Sequence, residues 1–148
     1  MKAGRREFMT AVAIALALPN VAHAASASVE VWKAPSCGCC KDWIRHLESN
    51  GFKVTVHDSG NTAARARLGI PIRLGSCHTA LVEGYAIEGH VPMRHVARLL
   101  HDKPRDIRGI AVPGMPRGSP GMEMPDGSAD AFEVMAFGSD GKVSEFRA

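Results

Sequence analysis

The cysteine turn, three cysteines within four residues at Cys37, Cys39 and Cys40, most constrains the fold, because it separates a predicted strand from a predicted helix. The strand is expected at residues 29–33 and the helix extends to about Asn50. Cys37 and Cys40 have C-x-x-C spacing, so both fall at the N-terminus of this helix. Unpaired backbone N–H groups and the helix dipole stabilise a thiolate there, and we expect the pKa of Cys37 to lie below that of free cysteine.

Alternating strand and helix patterns continue along the chain. Phe52, Val54 and Val56 alternate with polar residues, which is typical of a half-buried strand. The spacing of apolar, glycine and proline residues predicts four further elements: a helix at 62–68, a hairpin of 79–82 with 85–88, a helix from Pro92, and a second hairpin of 131–137 with 142–146. Residues 109–127 contain five glycines and four prolines, so no regular element is predicted there.

The element order, βαβ followed by ββα, is the plan of a thioredoxin-like domain. We therefore predict an α/β fold, with a single thioredoxin-like domain over residues 25–148 that carries a C-terminal Gly/Pro/Met loop and β-hairpin. In that plan a redox pair occupies the turn held here by Cys37 and Cys40. Cys77 and His78 come just before the third strand, where such domains carry a cis-proline facing the redox turn, so both can point at the cysteine turn.

Residues 1–24 have the pattern of a cleavable export signal. Basic residues at Lys2, Arg5 and Arg6 precede an apolar run at 11–18 and a small-residue site at 22–24. The mature chain is expected to start near Ala25, in the periplasm. The adjacent arginines leave both the twin-arginine and the general secretory route open. The apolar run is shorter than the roughly 20 residues that cross a bilayer, and no later segment comes closer, so we expect no membrane span in the mature chain.

The charge of the mature chain argues against a nucleic-acid partner. Removing the signal takes away three basic residues and one acidic residue, so the formal net charge falls from +3 to +1. No run of lysine or arginine remains, and Trp32, Trp43 and Tyr85 are isolated from one another. The sequence therefore lacks the basic, aromatic surface that nucleic-acid binding requires.

All four cysteines remain in the mature chain, where they have three possible uses. Cys37 can attack and Cys40 can resolve, as a dithiol redox pair does. Cys39 adds either a rival disulfide partner or a metal ligand, and three thiolates this close suit the soft or borderline ions Cu(I) and Zn(II). The third use is structural, with one disulfide inside the turn and one to Cys77.

Methionines and histidines extend the candidate site. Met115, Met122 and Met124 lie in the glycine- and proline-rich loop, and their thioethers suit Cu(I) better than zinc, although loop packing is the alternative explanation. His78 is a candidate ligand beside Cys77, and His90 is a weaker one. The remaining histidines of the mature chain are assigned to surface or packing roles: His46, His57, His95 and His101.

Four motifs of the mature chain closely resemble the CopG-like copper-resistance proteins. They are Ser36-Cys37-Gly38-Cys39-Cys40-Lys41-Asp42-Trp43, Leu74-Gly75-Ser76-Cys77-His78-Thr79, Glu88-Gly89-His90-Val91-Pro92, and residues 112–123. The resemblance covers residues 29 to about 146. It implies a periplasmic, thioredoxin-like protein that binds copper at Cys37, Cys39, Cys40 and Cys77 and interconverts Cu(I) and Cu(II) during copper detoxification.

The sequence thus favours a protein whose reduced thiolates bind Cu(I) and whose sulfurs couple the copper oxidation state to the thiol or disulfide state. The expected partners are copper ions and other periplasmic copper-handling proteins. Two alternatives stay open: a metal-free thiol-disulfide oxidoreductase acting on proteins, and a passive copper chaperone or buffer. Zinc is the alternative metal.

Overall fold

The computed structural model describes residues 27–148, so the signal predicted at residues 1–24 lies outside the described part of the chain. The described residues form seven strands: β1 Ser28–Lys33, β2 Lys53–His57, β3 His78–Val82, β4 Tyr85–Glu88, β5 Gly109–Ala111, β6 Met135–Phe137 and β7 Val143–Glu145. Their helices are α1 Gly38–Ser49, α2 Thr62–Arg67 and α3 Met93–Asp102, with a short 3₁₀ helix at Ile72–Leu74. Within residues 27–148, no helix is long and apolar enough to cross a bilayer.

The strands form a mixed sheet in the order β2-β1-β3-β4-β5-β6-β7. β1 pairs parallel with β2 and antiparallel with β3, and β4 pairs antiparallel with β3 and parallel with β5. β6 and β7 extend the sheet by antiparallel pairing. The α/β class, the βαβ-then-ββα order and the C-terminal loop and hairpin are confirmed, and the thioredoxin-like assignment itself stays a prediction.

The main core lies between the sheet and the helices α1 and α3. Helix α1 buries Trp43, Ile44 and Leu47, which recur at helical spacing, against the same cluster of apolar residues as Val96 and Leu99 of α3. The opposite face of the sheet carries a smaller apolar cluster: Ile70, Leu74, Ala86, Ala111 and Phe137. Helix α1 is thus held from below by the sheet, which fixes the position of the cysteine turn at its N-terminus.

The first hairpin has the predicted turn. Glu83 and Gly84 both have positive φ, 45° and 85°, as a two-residue type I′ turn requires. Val82 therefore pairs with Tyr85 and Thr79 with Glu88. This register carries the residues before β3 and after β4 to one edge of the molecule.

The prediction that residues 109–127 lack regular structure was wrong at the start of that range, because residues 109–111 form strand β5. Gly109 lies so close to β4 that a Cβ atom there would be 2.1 Å from the carbonyl oxygen of Ala86. Pairing with two neighbouring strands thus overrides the low strand propensity of glycine. Two boundaries also differ: Pro92 caps α3 rather than forming its first residue, and the second hairpin is shorter than predicted.

We expect Gly109→Ala to destabilise the protein by about 1–3 kcal/mol, because the added methyl group would overlap backbone that cannot move without breaking the β4–β5 pairing. Gly38→Ala is the control, since a Cβ there meets no atom within 4 Å. Urea unfolding of both variants measures the difference. Equal unfolding free energies would contradict this account of β5.

Candidate metal centre

The cysteine turn lies at the start of α1, as predicted. Cys37 is the N-terminal cap residue of the helix, and Cys37 and Cys40 form a disulfide, with their Cα atoms 5.4 Å apart. This is the pairing that the C-x-x-C spacing predicts. Cys39 and Cys77 are free, half-buried thiols. A second disulfide to Cys77, as in the structural alternative, is therefore not formed. Because Cys37 does not titrate in the disulfide, its lowered pKa stays a prediction.

The structure brings Cys77 to the cysteine turn. The Sγ atom of Cys77 lies 3.5 Å from that of Cys40 and 3.9 Å from that of Cys39. The Sγ atoms of Cys37 and Cys39 are 3.6 Å apart. All four sulfurs lie within 4.8 Å of one another, which is close enough for metal ions to be shared among them. We call these four residues the cysteine cluster.

Strand pairing explains why Cys77 reaches this place. Lys33, the last residue of β1, pairs with His78, the first residue of β3. Cys77 therefore lies just beyond the end of β1, where the chain enters the cysteine turn. One antiparallel register thus joins two cysteine-bearing segments that are distant in the sequence.

Two buried histidines lie beside Cys77. The distance from Cys77 Sγ is 3.1 Å to His90 Nε2 and 3.4 Å to His78 Nδ1, and the three side chains form a second group whose ligand atoms lie within 4.8 Å. Nδ1 of His90 donates to the carbonyl oxygen of Pro120 at 2.8 Å, so its Nε2 presents a lone pair toward Cys77. The chemistry of both groups, thiol sulfur and imidazole nitrogen, fits copper or zinc.

The structure places His90, the weaker histidine candidate of the sequence, directly beside Cys77. The signal that identifies it is the hairpin register, since pairing of Val82 with Tyr85 places His90 opposite Cys77. The four histidines assigned to surface or packing belong to neither candidate metal-binding group within residues 27–148. His46, for example, bonds to Glu123 at the surface.

The methionine loop approaches the cluster through its backbone. Gly121 packs on the first turn of α1, where a Cβ atom would be 2.8 Å from the carbonyl oxygen of Cys39 and 2.7 Å from the backbone nitrogen of Trp43. Met122 follows directly and is half-buried, whereas Met115 and Met124 are exposed. The contacts of the loop thus bring its backbone to the site, and the ligand role of the three methionines stays a prediction.

Comparison with known proteins identifies the family. A family model described as "Protein of unknown function, DUF411" matches residues 74–122. Two solved structures, both titled copper resistance protein CopG, are similar to the chain: form 2 with 46% identity and a TM-score of 0.77, and form 1 with 47% and 0.75. The chain belongs to the CopG family. The matches cover 82% and 81% of this chain and 97% and 94% of those structures. A comparison with curated protein sequences finds no significant match.

Burial keeps Cys77 and its two histidine neighbours in this CopG-family site electrically neutral when no metal is bound. Burial, reinforced by the nearby Cys39, raises the pKa of the Cys77 thiol to about 12. Burial and the neighbouring His90 lower the pKa of His78 to about 3, and burial also lowers the pKa of His90. Cys77 is therefore a thiol and both imidazoles are uncharged at neutral pH. A bound cation would favour the thiolate, so metal binding must release a proton from Cys77.

We expect the metal-free protein to lose stability as the pH falls below about 6.5. The unfolded chain binds a proton on His78 below that pH, whereas the folded chain resists protonation down to about pH 3. Within this window each such histidine lowers the free energy of unfolding by up to about 1.4 kcal/mol per pH unit. Urea unfolding at pH 7 and pH 5 measures the slope.

His78→Phe removes one titrating group and keeps an aromatic ring beside Trp43, so the slope should become shallower. The remainder is due to His90 and His95, whose pKa values burial also lowers. His101→Asn is the control, because that side chain is 86% exposed. An unchanged slope in His78→Phe would contradict the lowered pKa, because it would mean that His78 takes up its proton at the same pH in the folded and unfolded chain.

Proposed function

We propose that this protein binds copper in the periplasm as part of copper resistance, and that the cysteine cluster holds the metal as Cu(I). The observation that carries the proposal is the convergence of four sulfurs within 4.8 Å at the start of α1. Its relatives support the choice of metal, since the two similar structures are copper resistance proteins. Soft thiolates suit Cu(I), which fits the same choice.

The same sulfurs would couple copper to thiol chemistry. When the thiols of Cys37 and Cys40 join in a disulfide, they release two electrons and two protons. The two electrons reduce two Cu(II) ions to two Cu(I) ions, and Cys39 and Cys77 remain as thiolate ligands. The disulfide between Cys37 and Cys40 supports this step, because Cys39 and Cys77 stay free beside the closed pair. Repeated turnover would make the protein a copper/thiol oxidoreductase.

A metal-free thiol-disulfide oxidoreductase is the second candidate. The position of the disulfide at a helix N-terminus favours it. Against it stands the free Cys77 thiol, 3.5 Å from Cys40 Sγ, which a simple dithiol enzyme does not need. A passive copper chaperone would bind Cu(I) without forming the disulfide on addition of Cu(II). Zinc is the alternative metal, and the methionine thioethers argue for copper over zinc.

The proposed location and domain boundaries follow from the N-terminal pattern. Residues 1–24 would direct export by the secretory or twin-arginine route and be removed, leaving residues 25–148 as the mature copper-binding domain. Copper ions, and other periplasmic proteins that handle copper, would be its partners.

Replacing Cys77 tests the copper site. Cys77→Ser exchanges a soft sulfur for a hard hydroxyl with little change in volume, so the Cu(I) affinity of the reduced protein should fall by at least about tenfold while folding is retained. Anaerobic Cu(I) competition, thermal unfolding and insulin reduction are measured on the one variant. Unchanged copper affinity with unchanged stability would remove Cys77 from the site. Insulin reduction without any tight copper binding in the parent protein would favour the metal-free oxidoreductase.

Replacing the loop methionines tests their share of the affinity. The triple variant Met115→Leu, Met122→Leu and Met124→Leu keeps side-chain bulk and removes three thioethers, so Cu(I) affinity should fall by less than in Cys77→Ser. The matched control is the double variant Met93→Leu and Met135→Leu, which replaces two methionines outside the loop that pack on the apolar clusters. Equal affinities of the triple variant and the control would assign the loop methionines to packing.

A further inference from the structure

A buried ion pair lies on the face of the sheet opposite α1, beneath the segment that carries Cys77. Glu88 of β4 has a fully buried side chain, and its Oε1 atom accepts a hydrogen bond from Nε of Arg65 in α2 at 2.8 Å. The Arg65 side chain is only 22% exposed. Oε2 of Glu88 accepts a bond from the Thr79 hydroxyl at 2.5 Å. Neither charged side chain belongs to the cysteine cluster or to the Cys77–histidine group.

Both ends of this ion pair hold the backbone of Ser76, the residue before Cys77. The N–H of Ser76 donates to Oε1 of Glu88 at 2.7 Å. The carbonyl oxygen of Ser76 accepts from Nη2 of Arg65 and from Nδ2 of Asn61, the latter at 3.2 Å. The N–H and the carbonyl oxygen of Ser76 are thus hydrogen-bonded by three side chains. Two belong to α2 and its N-terminal cap, and one belongs to β4. We call Asn61, Arg65 and Glu88 the Ser76 clamp.

The segment needs such support because it lacks regular structure. Residues 75–77 lie between a short 3₁₀ helix and β3 and belong to neither. The N–H of Gly75 bonds to the carbonyl oxygen of Ile72, and the N–H of Gly114 bonds to the carbonyl oxygen of Gly75. The Ser76 hydroxyl donates to the carbonyl oxygen of Gly114. Gly89 also touches this segment: a Cβ atom there would be 2.6 Å from Cβ of Ser76. These bonds leave the backbone N–H and carbonyl of Ser76 itself to the Ser76 clamp, at the residue from which the Cys77 side chain follows.

Stability alone does not explain a charged pair at this depth. A buried ion pair is often no more stabilising than an apolar pair of the same volume, because both charges lose their hydration. What the charged groups add is direction, since a carboxylate and a guanidinium accept and donate several hydrogen bonds in a defined geometry. That geometry here is aimed at one peptide, next to a cysteine whose sulfur must lie within a few tenths of an ångström of its place for metal binding.

We propose that the Ser76 clamp is a positioning device that holds Cys77 Sγ against Cys39 and Cys40. Its three residues belong to neither group that could hold a metal, so they act through the backbone of Ser76. The consequence for copper affinity rests on the proposed function, whereas the position of the Cys77 sulfur can be measured without any metal. In metal sites, residues that orient the ligands change affinity about 10- to 100-fold when they are replaced.

Two readouts on the full mature chain test the proposal. The first is the rate of alkylation of Cys77 relative to Cys39 by iodoacetamide, measured by peptide mapping of the metal-free protein with the Cys37–Cys40 disulfide intact. The second is Cu(I) affinity of the reduced protein, with the thiolate-to-copper absorption spectrum. Glu88→Leu removes the central member of the clamp, and Glu88→Gln keeps an acceptor for the Ser76 N–H.

Asn61→Ala is the mild variant, because the Asn61 side chain makes no capping bond to α2 and its loss leaves the ion pair intact. It keeps the test decisive where Glu88→Leu does not fold. Leu99→Ala is the stability control: this core residue of α3 is fully buried in the main core, and its truncation costs stability without touching the clamp.

We expect the alkylation ratio to rise and the Cu(I) affinity to fall by about 10- to 100-fold in Glu88→Leu, with smaller changes in Glu88→Gln and Asn61→Ala and no change in Leu99→Ala. The proposal would be overturned by clamp variants whose alkylation ratio and Cu(I) affinity equal those of Leu99→Ala at the same loss of melting temperature. A raised alkylation ratio in a protein that binds no Cu(I) would support the clamp and reject the proposed copper function.

Discussion

The antiparallel pairing of β1 with β3 is the constraint on which the rest of the site depends. It places Lys33 opposite His78, so that the chain enters the cysteine turn from β1 at the point where Cys77 precedes β3. The apolar face of α1, with Trp43 fully buried, fixes the turn from the other side. A slip of one residue in this register would turn His78 to the opposite face of the sheet and move Cys77 away from the cysteine turn.

Near the site, one face of the sheet carries the candidate ligands and the other carries the side chains that hold their backbone. On the α1 face, burial holds the thiol of Cys77 and the imidazoles of His78 and His90 in their neutral forms. On the other face, a full ion pair of Arg65 and Glu88 holds the backbone beneath them. Alternation of side chains along β3 produces this division, since His78 faces one side and Thr79 the other. Ligand chemistry and support are therefore separated by a single layer of backbone.

Much of the fold could be predicted because its signals are local. The first hairpin depends on a two-residue turn at Glu83 and Gly84, and the period of α1 is visible in Trp43, Ile44 and Leu47. Strand β5 could not be predicted, because its three residues form a strand only where β4 and β6 supply partners on both sides. The position of His90 beside Cys77 could not be predicted for a related reason: a single histidine carries no period, and only the hairpin register connects it to Cys77.

The sequence by itself determined the order of the elements, the place of the cysteine turn at a helix N-terminus and the pairing of Cys37 with Cys40, since all of these depend on residues a few positions apart. Tertiary structure decided which distant groups join them. Cys77 and His90 enter the site through strand pairing, and Arg65 and Glu88 meet at Ser76 through packing of α2 against the sheet. The physical reason is that helix period, turn chemistry and C-x-x-C spacing act through neighbouring backbone, whereas these contacts arise only when strand register and burial bring separate segments together.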